Sequence, residues 1–204
     1  MSDEISEDLR LLAAIAYGEA SVANDSNEIG GIAFAVANRC RAWSGMSVSQ
    51  LRAADPNYAY AWNGDNQRFN KLMSTQGDQL DADAGMRLAV EWARKALANE
   101  GPDPSNGAFW WDGRDFMTRY ASHPKVKNTF KWGTPSHNIF DVQENPGLFI
   151  KRWRVVNKRT GKTVDGAERG RYDSVWVSTA AHGSTIFWKY NPDYLRATGA
   201  KAHR

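Results

Sequence analysis

Residues 11–39 read LLAAIAYGEASVANDSNEIGGIAFAVANR. Two apolar runs flank a short polar stretch. Leu11, Leu12, Ile15 and Ala16 recur at helical spacing, and Ile29, Ile32, Ala33, Val36 and Ala37 do so again. Residues 20–27 between them are small, polar and rich in turn formers. The pattern predicts helix, loop, helix. The first helix is capped by Ser6 and runs to about Gly18. The second runs from about Glu28 to Trp43, with Asn27 or Ser26 as its N-cap. Gly30 and Gly31 are costly in a helix and are tolerable where another group must approach closely.

Each run carries a glutamate at its edge. Glu19 closes the first and Glu28 opens the second. On one unbroken helix they would face opposite ways, but a chain reversal lets both face a common cleft. A carboxyl among apolar neighbours has a raised pKa and can hold a proton near neutral pH, as a general acid must. The plainer reading of Glu19 is an exposed residue of the last turn. Glu28 equally suits a helix start, where an acid meets the positive end of the dipole. Asp25 in the loop and Asp65 further on are fallback second carboxylates, and a turn role explains Asp25 as well.

Outward from this stretch, Ser47 is expected to cap a short helix over residues 48–53. Residues 58–64, YAYAWNG, read as an aromatic loop, and residues 66–73 as another short helix. Residues 81–99 carry a 3.6-residue apolar stripe with acids leading and bases following, and Gly101-Pro102 stops that helix. DPSNG, residues 103–107, is a turn, followed by Phe109, Trp110 and Trp111. Neighbours alternate in a strand, so these aromatics cannot all face the core. Residues 122–136 are basic and read as a solvated face, with a contact for an anionic polymer as the alternative. From Leu148 onward FIKRWRVV, SVWVSTA and STIFWKY read as strands, with residues 165–170 as a polar loop and a fraying tail after Tyr190. The expected fold class is α+β, mainly α, with a small β region late in the chain. No repeat or linker divides residues 1–204, so one domain is expected.

The composition narrows the partners. Net charge is +3 and there are nine tryptophans, which suits an anionic polymer and stacking on sugars or bases alike. The single cysteine, Cys40, excludes an internal disulfide and a cysteine-rich zinc site. Four histidines show no HxH or HExxH spacing, so no metal and no cofactor is expected. No run suits a membrane span, and basic residues are dispersed without a nucleic-acid motif, so no nucleic-acid partner is expected. Residues 1–8 are acidic where a secretory signal starts basic, so the expectation is a cytosolic chain, a domain of something larger, or export by another route.

LLAAIAYGEA (residues 11–20), GGIAFAVANR (30–39), YAWNGDN (60–66), DPSNGAFWW (103–111) and HGSTIFWK (182–189), in this order, resemble the SleB-type cell-wall hydrolases, which are similar to lysozymes and lytic transglycosylases. The same pieces resemble the lysozyme domains of bacterial type VI secretion effectors. The resemblance implies a lysozyme-like fold and a monomer that acts on peptidoglycan in the periplasm or cell wall, with an immunity protein as a further partner. It places the catalytic acid on Glu19. Two departures stand out: SVANDSNE replaces the usual acidic segment after the first glutamate, and residues of about 118–175 read as an insertion.

The chemistry implied is cleavage of the β-1,4 bond between MurNAc and GlcNAc. Glu19 would protonate the leaving oxygen while Glu28 stabilises the cation or activates water. Tyr60, Trp62, Trp110 and Trp111 are candidate sugar-stacking residues, and Asn106 a candidate for an acetamido group. The alternatives are a lytic transglycosylase that uses Glu19 alone and a non-catalytic wall-binding module.

Overall fold

The computed structural model describes residues 5–204. The acidic start read above for export lies in part, at residues 1–4, outside the described residues. The fold is α+β and mainly helical, with its strands in the second half.

Helix α1, Glu7–Glu19, starts at Ser6, whose hydroxyl accepts the Leu9 N–H at 3.3 Å. It is buried on every side from Leu11 to Tyr17, as a central helix must be. Helix α2, Ser26–Ala42, packs along it. Its N-cap is Asp25, which accepts the Glu28 N–H at 2.8 Å. Ser26 and Asn27 are therefore inside the helix rather than capping it. The glycine pair admits aromatic rings: a Cβ on Gly30 would lie 2.6 Å from the Trp92 ring, and one on Gly31 2.4 Å from the Phe187 ring.

Helix α3, Val48–Ala54, begins with a reciprocal Ser47–Gln50 capping box. Residues Ala61–Asn63 form one 3₁₀ turn, and α4, Gln67–Ser74, is capped by Asn66. The helix expected over residues 81–99 is two: α5, Gln79–Ala82, and α6, Ala84–Ala98. The break is Asp83, whose backbone is extended and whose carboxylate caps the Gly85 and Met86 N–H groups.

Strand β1, Trp110–Asp112, leads into two single-turn helices, α7, Asp115–Thr118, and α8, Pro124–Lys127. Then come β2, Phe130–Lys131; β3, Phe149–Val156; β4, Thr163–Tyr172; β5, Trp176–His182; and β6, Thr185–Tyr190. The main sheet has the order β1-β6-β5-β2, antiparallel except for the β2/β5 pair. Strands β3 and β4 form a separate hairpin.

Three expectations are corrected here. Residues 165–170 belong to β4, because pairing with β3 satisfies a backbone whose polar side chains gave no strand signal. The tail after Tyr190 forms α9, Pro192–Thr198, capped by Asn191 with proline at its first position. The basic face at residues 122–136 is not wholly solvated: Lys125 is buried and its ammonium lies 2.7 Å from Asp112.

Strand β6 joins two cores. Phe187 faces the helical core, while Ile186 and Trp188 face a second cluster with Phe116 and Phe130. The alternation carries across to β1, where Trp111 pairs with Phe187 and Trp110 with Trp188. Trp111 is thus turned toward α1 and Trp110 away from it.

Candidate active site

Helix α1 delivers Glu19 as its last residue into a cleft of about 540 Å³, whose walls include Tyr58, Tyr60, Trp111, Asp115 and Arg119. The end of α1 is held there by the N-terminal turn of α4 and its cap. Asn66 Nδ2 donates to the Gly18 carbonyl at 2.9 Å, and Arg68 Nε to the Tyr17 carbonyl at 2.7 Å. These donors satisfy carbonyls that a helix end leaves orphaned.

Glu19 Oε1 accepts the Ala61 N–H at 2.5 Å, and Oε2 accepts the Trp111 indole N–H at 3.3 Å. Burial pushes the Glu19 carboxyl above the ordinary carboxylate range. The hydrogen bonds from Ala61 and Trp111 oppose that shift, and the charge of Asp115 adds to it. The net result is a carboxylic acid predisposed to keep its proton.

Glu28 occupies a different environment. It is fully buried and its oxygens take four donors. Oε2 accepts the Ser21 N–H at 3.1 Å and the Ser21 hydroxyl at 2.5 Å; Oε1 accepts the Ser184 N–H at 3.0 Å and the Thr185 hydroxyl at 2.8 Å. Gly183, at φ +56°, turns the chain so tightly here that a Cβ would lie 2.6 Å from Glu28 Oε2. Glu28 therefore binds the loop after α1 to the β5–β6 turn. It is not among the cleft-lining residues, but Thr185, which it holds, is.

The aromatic candidates separate. Tyr60 stands on the rim, 69% exposed, and Trp111 lines the wall. Trp62 belongs to the core: it is buried and its indole N–H donates to the Pro56 carbonyl at 2.7 Å. Trp110 packs against Trp176 and Tyr190 on the far side of β1, at 5.0 and 4.8 Å between ring centres. Asn106 sits in a left-handed turn at φ 51° and its amide donates to the Thr179 carbonyl at 3.3 Å. These three do not line the cleft. Of the fallback acids, Asp25 is the α2 cap and Asp65 is exposed outside the cleft.

Sequence reading did not single out Tyr58, Asp115, Arg119 or Thr185. Asp115 is an exposed carboxylate opening α7 on the same cleft as Glu19. Asp112, which also lines this cleft, is half-buried. Burial opposes its ionisation, but the Lys125 ammonium and the His123 ring outweigh that and hold its carboxyl below the ordinary range. Asp112, Asp115 and His123 offer ligand atoms within 4.8 Å of one another. The Lys125 ammonium already lies 2.7 Å from Asp112 as an ion pair and would repel a metal ion.

No described helix is long and apolar enough to cross a membrane. No family model matches the chain, and neither a curated protein nor a solved structure does.

Proposed function

We propose that this protein cleaves the glycan strand of peptidoglycan, with Glu19 as the general acid. The observation that carries the reading is the environment of Glu19: a carboxyl with a raised pKa, opening into a cleft with an indole wall and a tyrosine rim. The polymer is suggested by the five stretches that resemble SleB-type hydrolases. The setting that goes with it is the periplasm or wall, with an antibacterial effector role and an immunity protein as partner.

In this mechanism the Ala61 amide fixes Oε1 as an acceptor, and Oε2, with its longer contact to Trp111, carries the proton into the cleft. Protonation of the glycosidic oxygen releases the GlcNAc side as an alcohol and leaves an oxocarbenium-like centre on the MurNAc side. Asp115, on the same cleft and open to solvent, activates the water that attacks that centre. Glu28 acts as a positioning residue: it holds Thr185 and the β5–β6 turn in place behind the cleft.

One observation favours a second reading, a lytic transglycosylase. With Glu28 saturated by four donors, Glu19 is left as the one acid of the original pair that faces the cleft. The substrate's own acetamido group then assists, and the product carries an anhydro end.

Digestion of purified peptidoglycan by the wild type, Glu19→Gln and Asp115→Asn, with mass analysis of the products, separates the readings. Hydrolysis predicts reducing ends, lost in both variants. The transglycosylase predicts anhydro ends and indifference to Asp115→Asn. A non-catalytic wall-binding module predicts retention on the glycan without any product.

A further inference from the structure

A second cavity, of about 580 Å³, lies at the base of the β3–β4 hairpin and shares no lining residue with the Glu19 cleft. Trp110 separates the two, since its ring packs on Trp176 and Tyr190 of this cavity while Trp111, its neighbour, faces Glu19. Three cations line it: Lys151, Arg152 and Arg169. Adjacent strand residues normally point to opposite faces. A register shift between Lys151 and Arg152 turns both into the same cavity.

None of the three cations has an ion-pair partner among the described residues. Glu168, across the ladder from Arg152, is taken by both arms of Arg171 at 2.9 and 2.8 Å. No described carboxylate lines the cavity. Its aromatic members are Tyr172, Tyr190, Tyr194 and Trp176, and the hydroxyls of the three tyrosines make no hydrogen bond to another described residue.

The faces of these rings are largely used against one another. Trp176 and Tyr190 lie 4.3 Å apart between centres, Phe149 stacks on Tyr172 at 5.1 Å, and Tyr194 packs on Tyr172 and Tyr190 at 5.2 and 5.4 Å. A base would need a free face to stack on. What remains available is phenol hydroxyls beside cations that no carboxylate pairs with directly, although Arg169 lies 4.6 Å over the Trp153 ring.

We propose that this cavity is a binding site for an anionic saccharide, a hydroxyl-rich ring that carries a carboxylate or phosphate. The cations take the anion through charge-assisted hydrogen bonds, and the tyrosine hydroxyls take the ring hydroxyls. If the wall reading holds, the site grips the carboxylate-bearing part of a strand away from the bond being cut. The chemistry of the cavity itself does not depend on Glu19.

Calorimetric titration of the full chain bearing Glu19→Gln, so that nothing is cleaved, tests this. The probes are a soluble disaccharide-tetrapeptide fragment of peptidoglycan, glucose 6-phosphate, neutral chitotetraose and a deoxythymidine decamer. Lys151→Ala with Arg169→Ala removes two cavity cations. Lys158→Ala with Lys162→Ala removes the same charge from exposed positions between β3 and β4, outside the cavity.

We expect the fragment or the sugar phosphate to bind, and the cavity pair of substitutions to weaken it by at least about tenfold, with the second pair close to unchanged. Binding of the fragment alone identifies the wall as the source, and binding of the sugar phosphate alone a small metabolite. Overturning results are binding of neither anion, equal loss with either pair, or preference for the decamer. None of these bears on Glu19, whose role is read from product formation.

Discussion

The Thr185 hydroxyl donates to Glu28 Oε1 at 2.8 Å across 157 residues of sequence. Through this bond a fully buried carboxylate fixes a residue of the cleft that it does not itself line. Glu28→Gln keeps the shape but replaces one acceptor oxygen with an N–H₂ group among four donors. Leaving buried donors unpaired costs about 1–3 kcal/mol. We predict a lower melting temperature and a glycan-cleavage rate reduced by about tenfold or more, with the pH dependence of the remaining activity unmoved. A displaced pH profile would instead mean that Glu28 itself exchanges a proton in the reaction.

The raised pKa of Glu19 predicts a pH dependence for both rate and stability. In the proposed role of general acid it must be protonated, so we predict that the rate falls as pH rises through its folded-state pKa. For stability the sign is the same. Folding favours the protonated form, so that contribution is complete below the ordinary carboxylate pKa and is lost as pH rises through the raised value. Thermal unfolding of wild type and Glu19→Gln across this window should show the wild type losing ground relative to the variant with rising pH. Parallel curves would contradict the shift.

Asp112 and Lys125 are paired at 2.7 Å where both are largely shielded from water. Lys125→Met leaves Asp112 with His123 alone and should cost about 3–5 kcal/mol, the penalty of an uncompensated buried charge. Adding Asp112→Asn should recover much of that loss. Urea unfolding of the two single variants and the double variant measures it, and strict additivity would contradict the coupling.

Gly31 admits the Phe187 ring between α2 and the sheet, with a virtual Cβ only 2.4 Å from it. Gly31→Ala should therefore destabilise by about 1–3 kcal/mol through overpacking, despite alanine's better helix propensity. Gly77→Ala is a control of a different kind: nothing lies near its Cβ, but its φ is +57°, so its cost is backbone strain alone.

The helical half was legible because apolar residues recur there at helical spacing between turn formers, although α1 itself is buried all round from Leu11 to Tyr17. The Asp83 break was not: Asp81 and Asp83 both read as acids of one first turn, and only the extended backbone at Asp83 ends one helix and caps the next. Strand β4 was missed because its exposed polar residues carry no inward-outward alternation, and only the pairing with β3 makes it a strand. Asn191-Pro192 was a legible helix start, outweighed by the polar tail.

In the candidate site, the odd position of a carboxylate at the end of an apolar helix marked Glu19. Alternation told that Trp110 and Trp111 diverge, not which of them meets the cleft. Asp115 and Arg119 join the Glu19 cleft only through the tertiary fold, so no local pattern could announce them.

The most direct measurement of the central claim is the rate of new chain-end formation from purified peptidoglycan by Glu19→Gln, with its fold verified by circular dichroism. We predict a loss of at least about a hundredfold, the scale of a missing general acid. A folded variant that cuts at the wild-type rate would contradict it.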